Sequence, residues 1–106
     1  MASKEKLYER ALKRALDDQL KAEILQMFQS KRQMLPSGVE MKWHPKDPVL
    51  VLRGPMGVAF YVHFYEAKKL MEVYAELGFM ARQFVTEAHR SQARDVIHQI
   101  AEDLDL

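Results

Sequence analysis

The sequence predicts a single α+β domain in which helices at both ends of the chain flank a short antiparallel sheet. Hydrophobic residues have helical spacing over the first thirty-odd residues, alternate over residues 39–65, and return to helical spacing from Glu66 onward. The 106 residues are too few for two independent cores, so we treat residues 1–106 as one domain. The predicted order of elements is α-β-β-β-α-α.

The N-terminal segment is predicted to form one long helix. Ser3 can serve as its N-cap, and the chain contains no Gly or Pro before Pro36. Its large apolar residues are spaced by four, at Leu12, Leu16, Leu20, Ile24 and Phe28. Because an α-helix turns every 3.6 residues, such a stripe winds around the helix by about 40° per step. We therefore expect this helix either to cross several elements of its own fold or to contact a second chain.

Residues 39–65 have the alternating pattern of a β-meander. Val39, Met41 and Trp43 alternate with polar residues, and residues 49–52 are apolar on both faces, as in a central strand. Residues 58–65 form a third alternating run, and turns rich in Pro and Gly occupy residues 44–48 and 54–57. Because the connections are short, these three strands are predicted to be antiparallel.

The C-terminal third is predicted to be a long helix broken near Ser91. One apolar stripe contains Leu70, Val73, Tyr74 and Leu77, and a second contains Val96, Ile97, Ile100 and Leu104. On one continuous helix these stripes would point about 130° apart, so both could not face the same core. The chain must bend, or its C-terminal part must pack against something other than the sheet.

Composition excludes several classes of protein. Apolar residues make up 48% and charged residues 29% of the chain, as in globular proteins, and the net charge is +1. The sequence has no cysteine, so it can form neither a disulfide framework nor a thiolate metal site. No apolar run approaches the ~20 residues of a membrane span, and the N-terminus lacks a signal-peptide core. We expect a cytoplasmic protein that does not cross a membrane.

Catalytic motifs are missing from the sequence, so we predict that the protein is not an enzyme and uses no cofactor. The turn at residues 54–57 lacks the Lys-Ser/Thr of a P-loop, and no dinucleotide fingerprint or nucleophile elbow occurs. Asp95, His98 and Glu102 share one face of the last helix, but a zinc site would need further ligands. We interpret them as a solvated polar face and predict no metal.

Two features indicate binding to another protein. Phe79 falls among polar positions of its predicted helix, at the angle of the second apolar stripe. One contact surface would therefore bury Phe79 with Ile97, Ile100 and Leu104, and Phe28 lies on the winding stripe of the first helix. This pattern predicts a homodimer that acts as an adaptor or inhibitor of another protein.

Nucleic-acid binding is the alternative function. Residues 1–70 contain 13 basic and 8 acidic residues, whereas residues 71–106 contain 3 basic and 7 acidic ones. A face of the third strand carries Tyr61 and Tyr65, and aromatic side chains beside basic ones can stack nucleobases. The candidate residues are Lys42, Lys46, Arg53, Tyr61, Tyr65, Lys68 and Lys69. Both classes of partner remain open at this point.

Overall fold

Within the residues that the structure describes, a five-stranded antiparallel sheet has two α-helices packed on one of its faces. The structure, a computed structural model, describes residues 3–34, 38–54, 57–78, 82–83 and 85–106. The elements are β1 (Ser3–Ala11), α1 (Asp18–Ser30), a 3-10 turn (Arg32–Met34), β2 (Glu40–Trp43), β3 (Val49–Arg53), β4 (Val58–Tyr65), β5 (Leu70–Leu77) and α2 (Glu87–Asp103). The strand order is β1-β5-β4-β3-β2, so β1 pairs with the last strand of a β2–β5 meander.

The prediction of one long N-terminal helix is wrong, because residues 3–11 form the edge strand β1. This strand pairs with β5 along its length, with a bulge at Leu7. Helix α1 begins only after Asp17, whose carboxylate accepts the backbone N–H of Leu20 at 2.7 Å. The Lys, Glu, Ala and Leu residues before it favour a helix locally. As an edge strand, β1 instead pairs its inner backbone groups with β5, completes the pairing of β5 and buries Leu7.

The prediction of a helix from Glu66 is also wrong, because residues 70–77 form β5. Residues 66–69 make a turn that contains neither Gly nor Pro, and Lys69 adopts a φ of 50° there. Along β5 every second residue is buried, namely Met71, Val73, Ala75 and Leu77. The apolar positions at 70, 73, 74 and 77 therefore match a helical period while belonging to a strand.

The predicted break near Ser91 is absent, since α2 is one helix from Glu87 to Asp103. Thr86 caps this helix, and its hydroxyl accepts the backbone N–H of His89. The two apolar stripes differ in direction because the first lies on β5 and the second on α2. The predicted meander of three strands corresponds to β2–β4 within the larger sheet, and the α+β class holds.

Both helices pack on the same face of the sheet and form the core there. Their apolar residues meet the inward-facing residues of the strands, and the buried cluster is Leu20, Ile24, Phe28, Val39, Leu50, Leu52, Val62, Phe64, Met71, Val73, Val96, Ile97, Ile100, Ala101 and Leu106. The indole N–H of Trp43 donates to the carbonyl of Lys21 at 3.1 Å, which ties β2 to α1. None of the described helices combines the length and apolar character that crossing a bilayer requires.

Candidate binding surface

No described helix covers the face of the sheet opposite α1 and α2, and we call it the open face. Side chains alternate along a strand, so the neighbours of the core residues point to this side. From the register of the strands, the open face carries Lys4, Lys6 and Glu9 on β1, Leu70, Glu72, Tyr74 and Glu76 on β5, Ala59, Tyr61, His63 and Tyr65 on β4, Val49, Val51 and Arg53 on β3, and Glu40 and Lys42 on β2.

Four aromatic rings form the centre of the open face. The His63 ring stacks on Tyr65, with centroids 5.8 Å apart and an interplanar angle of 4°. The same imidazole meets the Tyr74 ring edge to face at 5.5 Å, and the Tyr61 ring lies 6.4 Å away. Tyr65 is the most exposed of these rings, at 37%. The rings hold one another in place, so this aromatic surface is ordered before anything binds.

Apolar residues extend the aromatic centre toward β3. Val51 pairs with Tyr61 across the ladder, and Val49 pairs with His63. Both valines are half-buried, and Leu70 occupies the corresponding position beside Tyr65 on β5. Cross-strand pairs of aromatic and β-branched residues stabilise a sheet, and they also give the open face a continuous apolar middle.

A polar network fixes the β1–β5 side of the open face. The ammonium of Lys6 donates to Glu72 at 3.1 Å and also to Glu9, and the Tyr74 hydroxyl donates to Glu72 at 2.9 Å. The hydrogen bonds from Lys6 and Tyr74 lower the pKa of Glu72, and the bonds to Glu9 and Glu72 raise the pKa of Lys6. At neutral pH the charge of Lys6 is therefore compensated within the chain.

The remaining charged groups surround the aromatic centre. The ammonium of Lys4 lies 4.5 Å from the Tyr61 ring centroid and 4.0 Å from the Glu76 carboxylate. Arg53, Glu40 and Lys42 form no salt bridge with any described residue. The strand residues of the open face comprise four basic and four acidic side chains, so their charges balance.

His63 is the titratable group at the middle of the open face. Burial lowers its pKa, the nearby charge of Lys4 lowers it further, and the carboxylates of Glu72 and Asp47 act in the opposite direction. The imidazole is therefore neutral at pH 7 and contributes to the surface as an aromatic ring.

The structure brings together four of the residues predicted for nucleic-acid binding. Lys42, Arg53, Tyr61 and Tyr65 all lie on the open face. The other three lie in turns at one end of the sheet, with Lys46 between β2 and β3 and with Lys68 and Lys69 between β4 and β5. The ammonium of Lys68 lies 5.8 Å from the centroid of the Tyr65 ring, so Lys68 also contacts the open face. The residues that β1 and β5 contribute to this face were not predicted, because both segments have the pattern of helices.

The described residues that were predicted to form a dimer interface do not lie on the open face. Phe28, Ile97 and Ile100 are 3%, 6% and 2% exposed and belong to the core of the chain, and Leu104 packs against that core. Phe79 lies outside the described residues. The second apolar stripe was assigned to an interface because it lacked a partner, and the chain's own sheet supplies that partner.

The polar face of α2 contacts β1 rather than forming an open cluster of ligands. The Nδ1 atom of His98 lies 2.9 Å from the Tyr8 hydroxyl, and Glu102 accepts a hydrogen bond from Arg10 at 3.0 Å. This bond from Arg10 lowers the pKa of Glu102. Among the described residues, no group of three or more His, Asp or Glu side chains has an arrangement suited to a metal ion.

Comparison of the chain with known protein families, curated proteins and solved structures finds no match.

Proposed function

We propose that this chain is a small protein-interaction module that binds another protein chain through the open face and acts as an adaptor or inhibitor. One observation carries the proposal: the uncovered face has an aromatic and apolar centre surrounded by balanced charges. Protein interfaces have this anatomy, with tyrosine enriched at the centre and polar groups at the rim.

The charges of the open face favour a protein over a nucleic acid. Phosphate binding needs cations that are free to replace counterions, and it gains nothing from carboxylates on the same surface. Glu9 and Glu72 already compensate Lys6, and Glu76 lies beside Lys4. Nucleic-acid binding by the Tyr61 and Tyr65 rings is retained as an outcome that the experiment can return.

The proposal keeps three predictions from the sequence. The module is cytoplasmic, has no catalytic activity, and needs no metal or cofactor for binding. Its activity would then consist of occupying a surface on its partner, which fits a rigid and preformed binding face.

Site-specific photo-crosslinking in cells of the source organism tests the proposal. A benzophenone amino acid replaces Tyr65 or Tyr61 in the full chain, and the matched control carries it at Gln92, an exposed residue of α2. We expect protein adducts from both positions on the open face and none from Gln92. If neither tyrosine position gives protein adducts, the proposal is overturned. Adducts that nuclease removes would support the nucleic-acid alternative.

A further inference from the structure

One row of residues across the open face has a charge pattern that complements itself. The register aligns Lys4 with Glu76, Glu76 with Ala59, Ala59 with Arg53, and Arg53 with Glu40. From β1 to β2, the side chains in this row are positive, negative, neutral, positive and negative. The pattern therefore reverses sign about its middle residue, which lies on the central strand β4.

Sign reversal about a central strand matches the symmetry of a homodimer. If two open faces pack with a two-fold axis parallel to β4, each β1 lies over β2 of the second copy, and each β5 lies over β3 of the second copy. Lys4 then faces Glu40 of the second copy, and Glu76 faces Arg53 of the second copy. Symmetry makes each of these ion pairs occur twice.

The two sides of the open face also differ in net charge. The β1–β5 side holds Lys4 and Lys6 with three glutamates, whereas the β3–β2 side holds Arg53 and Lys42 with Glu40 alone. The rotation places the side with excess carboxylate over the side with excess cation. In the neighbouring row the register aligns Lys6, Tyr74, Tyr61, Val51 and Lys42, so the rotation places Lys42 over Lys6 of the second copy. Glu9 and Glu72 already pair with Lys6 and compensate its charge at this contact.

The apolar middle of the face fits the same arrangement. Tyr61, His63 and Tyr65 lie on β4 and would meet their own counterparts along the axis, while Val51 would meet Tyr74. Sheets that pack face to face align within about 30°, with their side chains filling a layer about 10 Å thick. The five strands lie about 4.8 Å apart and are between about 14 and about 31 Å long, so the face covers roughly 550 Å² in projection. That size lies toward the low end for specific interfaces, which is typical of weak or transient complexes.

We propose that the protein bound by the open face is a second copy of this chain, packed face to face about a two-fold axis parallel to β4. This inference rests on the proposed function and specifies the partner that occupies that surface. It places Arg53 against Glu76 and Lys4 against Glu40 across the interface.

Charge reversal with rescue by mixing tests this arrangement in the full chain. Sedimentation equilibrium from about 1 to about 300 µM is measured for the wild type, Arg53→Glu, Glu76→Arg, and a control, Asp95→Arg, on the exposed side of α2. We expect the wild type to dimerise, Arg53→Glu and Glu76→Arg each to weaken self-association about tenfold or more, and the control to leave it unchanged. In an equimolar mixture of the two weakened variants, both contacts between unlike chains regain opposite charges, so a heterodimer should form. The double variant R53E/E76R should also dimerise, which shows that the substituted chains still fold.

A wild type that is monomeric throughout this range would overturn the proposed dimer. If the wild type dimerises but neither the mixture nor the double variant does, the assigned contacts are wrong. If the chain is monomeric but benzophenone at Tyr65 captures a different protein, the proposed function stands and the second copy is excluded. If that position captures no protein either, both proposals fail.

Discussion

At the scale of single residues, His63 links the open face to the stability of the fold. Its ring stacks on Tyr65 and meets the edge of Tyr74, so protonation would place a charge among aromatic groups. Among the neighbouring charges, Lys4 on β1 disfavours the imidazolium, whereas Glu72 on β5 and Asp47 in the β2–β3 turn favour it.

We predict that titration of His63 makes the protein less stable as the pH falls below 7. Because the pKa of His63 is lower in the folded than in the unfolded chain, the unfolded chain binds more protons between the two values. The contribution to stability is thus complete above the unfolded pKa of about 6.5 and is lost as the pH falls toward the folded pKa. His63→Phe keeps a stacked ring without a titrating group, so its urea unfolding midpoint should fall less between pH 8 and pH 5.5. Equal pH dependence of the two proteins would contradict this account, and pH 8 supplies the reference at which His63 is neutral.

At the scale of elements, the position of Asp17 explains where α1 begins. Asp17 has extended backbone angles and accepts the N–H of Leu20, whereas Asp18 is the first residue of the helix. The adjacent residues Asp17 and Asp18 could have indicated this helix start from the sequence, because Asp favours the N-cap over the helix interior.

We predict that Asp17→Ala destabilises the protein by about 1 kcal/mol, since it leaves an N–H of the first turn without its acceptor. Asp18→Ala is the matched control, and it should cost at most about 0.5 kcal/mol because it loses only a favourable interaction with the helix dipole. Chemical denaturation at constant m-value measures both free energies. Similar losses for the two variants would show that charge, and not capping, stabilises the start of α1.

The turn between β4 and β5 shows why an element can escape prediction. Lys69 adopts the left-handed conformation that usually selects Gly or Asn, yet no such residue marks the turn at 66–69. Without that signal, the run from Glu66 onward resembled a continuous helix.

At the scale of the whole molecule, Leu106 closes the core between the helices and the sheet. Its side chain is 2% exposed, its N–H donates to the carbonyl of Ala101 at 3.0 Å, and its carbonyl accepts from the Arg10 guanidinium at 3.3 Å. The last residues thus connect α2 to β1 as well as filling the core.

We predict that Leu106→Ala lowers the free energy of unfolding by about 2–3 kcal/mol, through lost apolar burial and the cavity that remains. Leu104→Ala removes the same atoms from a half-buried side chain, so it should cost less. Thermal and urea unfolding compare the two variants directly. Equal losses would mean that Leu106 is not anchored in the core.

The balanced charge of the open face also predicts weak contact with nucleic acids. At physiological salt we expect filter retention of single- and double-stranded RNA and DNA at background level, because the face offers no net positive field. Measurement at a second, lower salt concentration separates weak nonspecific attraction from specific binding. Submicromolar retention that falls steeply with salt and is lost in Tyr61→Ala would instead establish the nucleic-acid alternative.

The sequence by itself determined the features that depend on local patterns. The alternation at residues 39–65 and its Pro- and Gly-rich turns identified β2, β3 and β4, and the α+β class follows from the mixture of periods. It also identified Tyr61 and Tyr65 as members of one face, because side-chain direction along a strand is fixed by its period of two.

Only the tertiary structure decided the strands β1 and β5. Residues 3–11 are good helix formers, and residues 70–77 satisfy both the helical and the strand period, so local preference does not distinguish the alternatives. The strand β1 depends on pairing with a distant segment, such as Lys6 with Tyr74, whereas β5 lies between β1 and β4 and has its backbone groups paired on both sides. Seven of the sixteen residues assigned to the open face lie on these two strands, and for that physical reason its charge pattern became visible only in the folded chain.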